Sequence, residues 1–399
     1  MENTKAEAPK PVNEIENHNN IVEGIIEKMN KDDFTIYFYC PPLNTPSGGI
    51  AVLMRMAKTI KTSGKKVKLV YEPRLNQRVS FEISQKEQKQ VEIFDRFDPK
   101  WLEFDISDME ITPLGDKKIR FTDGTEQDCK PLAINPEDFL IIPEGFPDLM
   151  KKTIQVPCKR IVLAQSWFYI LNAMAAGEKW QNFGVYDVIS ISEAITEYLQ
   201  TIMPGLKVKN YSQEINRELF KVPKKASDKY PMIGFMASRG PENRLKTFNI
   251  IKNFQAFYPH LKWVRFIELT GLSREEFAER LASCAFVLYT DDIAGFGTLP
   301  LESMASGTHV VGWASYGGKE YMSPNNGFWS NNCDIFQTAE LLGIGMDKWI
   351  NGEMDVPEIQ AEYEKTLERY TTEKESVKIL EIINEYKNER LNELKGLKK

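Results

Sequence analysis

The stretch GFGTLPLESMASGTHVVG, residues 295–312, sets out a flexible loop, one carboxylate and a run of small residues in an order that suits a phosphorylated ligand. Gly295 and Gly297 carry no Cβ, so backbone N–H groups there can approach a ligand closely. Pro300 fits the first turn of a helix, where a missing N–H costs nothing. The helix N-terminus favours an anion. Glu302, expected in that first turn, can accept two hydroxyl hydrogen bonds, as a ribose diol offers. Ala305, Ser306 and Gly307 allow the helix to lie close on a sheet. The same spacing also fits an ordinary strand–loop–helix connection in which Glu302 is a capping charge, and spacing alone does not choose between them.

A second constellation is SRGPENRLK, residues 238–246, directly after the apolar run MIGFMAS. It holds Arg239, Arg244 and Lys246. Read alone, the segment is a solvated charged loop before a helix. A third and weaker signal is Gly48-Gly49, which opens a helical pattern.

These residues need a scaffold that brings strand ends together. DFTIYFYC reads as a buried strand and PPLNTPSGG as a loop. IAVLMRMAKTIKTSG then places Ile50, Leu53, Met54, Met56, Ala57 and Ile60 at helical spacing, with Gly64 at the C-terminal end. KVKLVYE is the next strand, which completes a β-loop-α-β unit of a parallel sheet. DFLIIPEG, RIVLAQSW and DVISIS continue as strands, and a helix is expected from near Ser192. A second series follows: MIGFMAS, KWVRFIEL, AFVLYT and HVVGW as strands, with helices between them. The polar segment 211–231 is the candidate linker. The expectation is α/β, with two doubly wound domains facing across a cleft and ligand residues beyond the carboxyl ends of the strands. The boundaries predicted are a disordered leader at 1–19, a first domain at 20–205, a second at 206–350 and C-terminal helices at 351–399 that cross back to the first. In that tail Tyr363, Leu367, Tyr370, Val377, Leu380, Ile383, Tyr386 and Leu391 are the inward positions. EITPLGDKKIRFTDGTEQ reads as an inserted hairpin through its Asp-Gly turn. Residues 81–110, with nine acidic and four basic side chains, read as a solvated excursion.

With these motifs in place, the chain resembles retaining glycosyltransferases of the group 1, or family 4, type. Those have the GT-B architecture of two Rossmann-like domains. The resemblance covers about residues 34–389 and is most specific at GFGTLPLESMASGTHVVG. It implies that Gly48, Gly49, Gly295, Phe296, Gly297, Thr298, Leu299 and Glu302 bind a nucleotide-sugar donor, with Glu302 on the ribose. Arg239 and Arg244 would be the catalytic cations, with Lys246 a near alternative. The family has another Glu where this chain has Ala294, so Asp291 or Asp292 is expected to reach the sugar instead. RIVLAQSWFYILN resembles a subset whose strand ends in Gln plus aromatics, which puts Gln165 on the acceptor or sugar side. GGKEYM, residues 317–322, resembles a segment that follows the signature in some members.

The function implied is sugar transfer from a nucleotide-sugar, UDP- or GDP-linked, to a hydroxyl of a glycan, lipid-linked or protein acceptor, with retention and no protein nucleophile. No metal or other cofactor is expected, because the arginines would neutralise the leaving group. The alternative is a non-catalytic GT-B relative, a binding or scaffold subunit of a transferase complex, and Ala294 is the residue that supports it. A net charge of −6 argues against general nucleic-acid binding. Five separated cysteines without a CxxC argue against zinc and a disulfide framework. The polar N-terminus lacks the apolar core of a signal peptide, so a cytoplasmic location is the default. The tail KNERLNELKGLKK carries Leu391, Leu394 and Leu397 three apart among basic residues. Peripheral membrane contact is one reading of it, and the solvated end of a crossing helix is the other.

Overall fold

A computed structural model describes residues 12–84, 87–223, 229–237, 241–354 and 356–398. The first half runs α1 (Val12–Asn30), β1 (Thr35–Tyr39), α2 (Gly48–Thr62), β2 (Lys66–Tyr71), β3 (Arg74–Ser84), β4 (Glu87–Asp95), β5 (Glu110–Pro113), β6 (Lys118–Phe121) and β7 (Glu126–Asp128). It continues with β8 (Phe139–Pro143), α3 (Pro147–Lys152), β9 (Lys159–Ala164), α4 (Trp167–Asn172), β10 (Asp187–Ser190), α5 (Glu193–Ile202) and β11 (Lys207–Asn210). The second half runs β12 (Tyr230–Phe235), α6 (Pro241–Phe257), β13 (Arg265–Glu268), α7 (Arg274–Ser283), β14 (Cys284–Tyr289), α8 (Thr298–Ala305) and β15 (His309–Trp313). It ends with β16 (Phe328–Ser330), α9 (Ile335–Ile350), α10 (Pro357–Leu367) and α11 (Thr372–Gly396).

The strand orders are β11-β10-β9-β8-β1-β2-β5, β13-β12-β14-β15-β16 and β3-β4-β6-β7. In the first sheet β1 runs parallel to β2, with Thr35 opposite Lys66, and to β8, with Ile36 opposite Phe139. All four neighbouring pairs of the five-stranded sheet are parallel. Strands β8 and β14 are buried at every position, so they read in the sequence as unbroken apolar runs and not as alternation. On α2 the buried residues are Ile50, Val52, Leu53, Met54, Met56, Ala57 and Ile60, the helical stripe that the spacing predicts.

Two compact units divide the chain. One is Met1–Ile142, Leu149–Ile161 and Ile379–Lys399, and the other is Pro143–Asp148 and Val162–Lys378. The expected boundary at 205/206 therefore lies inside the second unit. The second unit's core gathers Ile233, Phe254, Phe286, Val311, Trp313, Leu342 and Met346 from its sheet and from α6 and α9. His309 is fully buried in that unit, with Nδ1 bonded at 2.7 Å to the Tyr363 hydroxyl; burial lowers its pKa to about 3, so it is a neutral packing residue.

Several expectations are corrected. Helix α1 begins at Val12 and takes in part of the expected leader. The charged stretch 81–110 contains strand β4, paired antiparallel with β3. Its charges are matched across strands: Glu92 meets Arg78 at 3.3 Å and Lys117 at 2.7 Å. A simple charge count hides such a sheet. The hairpin is β6–β7, while β5 pairs with β2 in the larger sheet. In the candidate linker Tyr211, Ile215 and Phe220 are buried, so its described part is packed structure; residues 224–228 lie outside the described residues. In the tail, Tyr363, Leu367, Tyr370, Ile383, Tyr386 and Leu391 are buried as predicted, but Val377 is 52% exposed.

Candidate donor site

The second unit holds most of the predicted site. Strand β14 ends at Tyr289, and residues 290–297 form the loop that leads into α8. Gly297 adopts φ +81°, which an L side chain rarely does, and this starts α8 at Thr298. Pro300 is then the third helical residue and Glu302 the fifth, one turn deeper than the sequence suggested. The α8 N-terminus has no side-chain cap and no acidic residue in its first turn. Its first N–H groups thus remain available to an anion.

Glu302 is buried, 5% exposed, and its Oε1 accepts from Nη2 of Arg274 at 2.9 Å. Arg274 opens α7 behind a Ser273–Glu276 capping box, and its guanidinium lies over the rings of Phe220 and Phe277. The sequence reading missed Arg274. SREEFAERL signalled a helix start, but nothing local marks a partner 28 residues away.

The glycines do more packing than expected. A Cβ on Gly295 would overlap the carbonyl oxygen of Gln165, and one on Gly317 would overlap that of Ala294. A Cβ on Gly297 would strike the Tyr289 hydroxyl. Three backbone segments, 165–166, 294–297 and 316–318, thus lie against one another at distances only glycine permits. Phe296 is buried against Tyr321 and Tyr370, so its ring anchors the loop from inside. Ala294 is buried as well. Thr298 and Leu299 supply the first turn of α8.

The cations are placed by α6. Asn243 donates to the Thr290 carbonyl at 2.6 Å, and the hydroxyls of Thr247 and Thr290 meet at 2.8 Å. This pins the start of α6 to the end of β14. Lys246 Nζ then reaches Asp292 Oδ2 at 3.4 Å and Cys333 Sγ at 3.5 Å. Asp291 accepts from the Ile293 N–H and shapes the loop. Arg244 lies elsewhere: its guanidinium binds both oxygens of Glu268 at 2.7 and 3.1 Å and stacks on Phe248. Arg239 falls outside the described residues. Gln165 is half-buried at the end of β9, and its Oε1 is buried with no hydrogen-bond partner. Gly48 and Gly49 are exposed at the start of α2 in the other unit, where Ser47 makes no side-chain cap.

One carboxylate at a strand end was not anticipated. Glu144 follows β8 and is 6% exposed. Burial pushes its carboxyl up to about 7, opposed by the N–H groups of its own residue, Gln165 and Ser166. Its folded pKa is above the ordinary 4.5, so between 4.5 and about 7 the folded chain holds a proton that the unfolded chain has lost. This contribution to stability is complete below pH 4.5 and is lost as pH rises to about 7. Urea unfolding of Glu144→Gln beside wild type is expected to show the variant gaining roughly 3 kcal/mol relative to wild type between pH 4.5 and 8. Parallel pH profiles would show that the carboxyl is not the buried group described.

The leucines of the tail are mostly turned inward. Leu391 and Leu394 are buried, and only Leu397 is exposed. Arg390 donates to the carbonyls of Pro136 and Pro157, Lys387 pairs with Asp32 and Lys398 with Glu23. The apolar face of that helix is spent on its own unit. No described helix is long and apolar enough to cross a membrane.

No family model matches the chain. Over 121 residues it is 31% identical to an alpha-1,6-glucosyltransferase of Actinobacillus pleuropneumoniae; the match takes in 29% of this chain and 36% of that relative, about a third of its length. Among solved structures it is similar to S. aureus TarM in complex with Fondaparinux, alpha-GlcNAc-glycerol and UDP, at TM-score 0.56 and 12% identity, covering 88% of this chain and 100% of that one. It is also similar to Anabaena HepE in complex with UDP-glucose, at TM-score 0.57 and 13% identity, covering 88% and 100%. The fold is GT-B, as the sequence predicted.

Proposed function

We propose that this chain is a glycosyltransferase that moves a hexose from a nucleotide-sugar, a UDP-hexose first among them, to an acceptor hydroxyl of a glycan or glycoconjugate. The observation that carries the reading is the uncapped N-terminus of α8 with a buried, ion-paired carboxylate one turn inside it. The diphosphate sits at the N–H groups of that helix, and Glu302 receives the ribose hydroxyls. Lys246 of α6, which reaches Asp292 of the 290–297 loop, supplies positive charge to the leaving group, with Arg239 as a further cation. We assign Asp292, beside Lys246, and Gln165, whose Oε1 has no hydrogen-bond partner, to the sugar hydroxyls. The relative's glucosyltransferase name, the UDP bound by TarM and the UDP-glucose bound by HepE support UDP over GDP.

We further propose transfer with retention, by front-face displacement. The leaving diphosphate oxygen takes the acceptor proton, and no protein nucleophile takes part. Support comes from the α linkage in the relative's name, since an α-configured nucleotide-sugar yields an α product only with net retention. The oxygens of Glu144 already accept backbone N–H groups, which leaves that carboxylate poorly placed as a base. A binding or scaffold subunit remains the competing class. A thermal-shift panel of UDP, GDP, ADP, CMP and dTDP separates the two. The transferase reading expects stabilisation by UDP first. A flat response to all five favours the scaffold.

A further inference from the structure

Three consecutive carbonyls of the glycine loop are held by two side-chain hydroxyls. Ser192 Oγ donates to the Gly295 carbonyl at 2.8 Å. Tyr321 Oη lies 2.5 Å from the Gly297 carbonyl and 3.3 Å from that of Phe296. Ser192 is fully buried and Tyr321 is 5% exposed, so neither bond competes with bulk water. The same Ser192 Oγ accepts the Ile195 N–H at 3.2 Å as the cap of α5. Glu320, next to Tyr321, accepts the Glu193 N–H at 2.7 Å and the Tyr370 hydroxyl at 3.3 Å. Arg369 donates to the Glu320 carbonyl and to the Glu193 carboxylate. The N-terminus of α5 and the 316–321 segment are therefore fastened to each other and, through one hydroxyl each, to the loop between them.

A trans peptide points its carbonyl and the following N–H in opposite directions. Holding the carbonyls of residues 295–297 on the protein side turns the N–H groups of Phe296, Gly297 and Thr298 away from it. We propose that Ser192 and Tyr321 are positioning residues for the donor: they fix these peptide planes so that a ready-made row of N–H groups, continuous with the first turn of α8, meets the donor phosphates. Glycine at 295 and 297 lets the loop adopt this shape, but glycine also leaves it free to leave it. The two hydroxyls remove that freedom before the ligand arrives, which lowers the ordering cost of binding. This inference rests on the transferase reading.

The test is calorimetric titration of UDP into wild type, Ser192→Ala, Ser192→Thr and Tyr321→Phe at 25 °C, with a melting curve for each. Loss of one hydroxyl is expected to weaken UDP binding by roughly three- to tenfold, the size of one net hydrogen bond. Ser192→Thr, which keeps the hydroxyl, is expected to restore binding to within about twofold of wild type. A purely structural role would lower the melting temperature and leave the affinity of the folded protein unchanged. Should Ser192→Ala fail to fold, Tyr321→Phe carries the test, since it removes only an oxygen. If wild type binds UDP and the folded variants bind it equally well, the clamp is overturned and the transferase reading stands. If wild type binds no nucleotide, that reading falls and the clamp falls with it.

Discussion

Glu302→Gln is expected to weaken UDP binding by about tenfold or more while the protein stays folded. The side chain is buried and already paired with Arg274, so Gln keeps the volume and one acceptor for the guanidinium. What it loses is charge. Hydrogen bonds to a charged acceptor are worth roughly 1.5–3 kcal/mol, against about 1 for neutral pairs, and a ribose diol makes two. Glu302→Ala should be worse for binding and should also lower stability, because the bond between Glu302 and Arg274 is lost. That pair is partly exposed on the arginine side, 36% at Arg274, so the stability cost is held to roughly 1–2 kcal/mol and not the larger value of a fully buried pair. Calorimetry with UDP and a melting curve check both. Unchanged affinity with lost turnover would give the carboxylate a chemical role, and unfolding of Glu302→Gln would make it a structural cap.

Lys246→Ala is expected to lower sugar transfer by roughly 10²–10³-fold, the scale of removing one fixed charge from a developing anion. Arg244→Ala is expected to cost about threefold or less, because its guanidinium is engaged with Glu268 and Phe248. This reverses the order that the sequence resemblance implied. Both residues follow the same strand, but two helical residues are about 200° apart, so the starting point of α6 decides which side chain faces the 290–297 loop. Pinning of Asn243 and Thr247 to Thr290 fixes that phase in favour of Lys246. Steady-state rates for the two variants decide. Wild-type rates in Lys246→Ala beside a large loss in Arg244→Ala would restore the original assignment.

Much of the fold was legible because its strands are short, apolar and separated by helices with clear stripes. The α2 stripe, the buried runs of β8 and β14 and the Ser192 cap could be read from spacing alone. The candidate site was legible only as residue types. Gly295 reads as a ligand-facing glycine, yet its missing Cβ makes room for the Gln165 carbonyl, 130 positions earlier in the chain. Arg274, Glu144 and Tyr321 acquire meaning from contacts that no local pattern announces. The tail leucines show the same limit: basic residues around a threefold leucine spacing resemble a membrane-surface helix, and only the burial of Leu391 and Leu394 shows that this face turns inward.

The most direct measurement is release of UDP from UDP-glucose by the purified chain, with wild type and Glu302→Gln side by side and no acceptor added. Slow release by wild type, reduced at least about tenfold in the variant at low substrate, is the predicted result. No release by wild type, together with no binding of UDP or any other nucleotide, would contradict the account and leave a GT-B fold serving as a binding module.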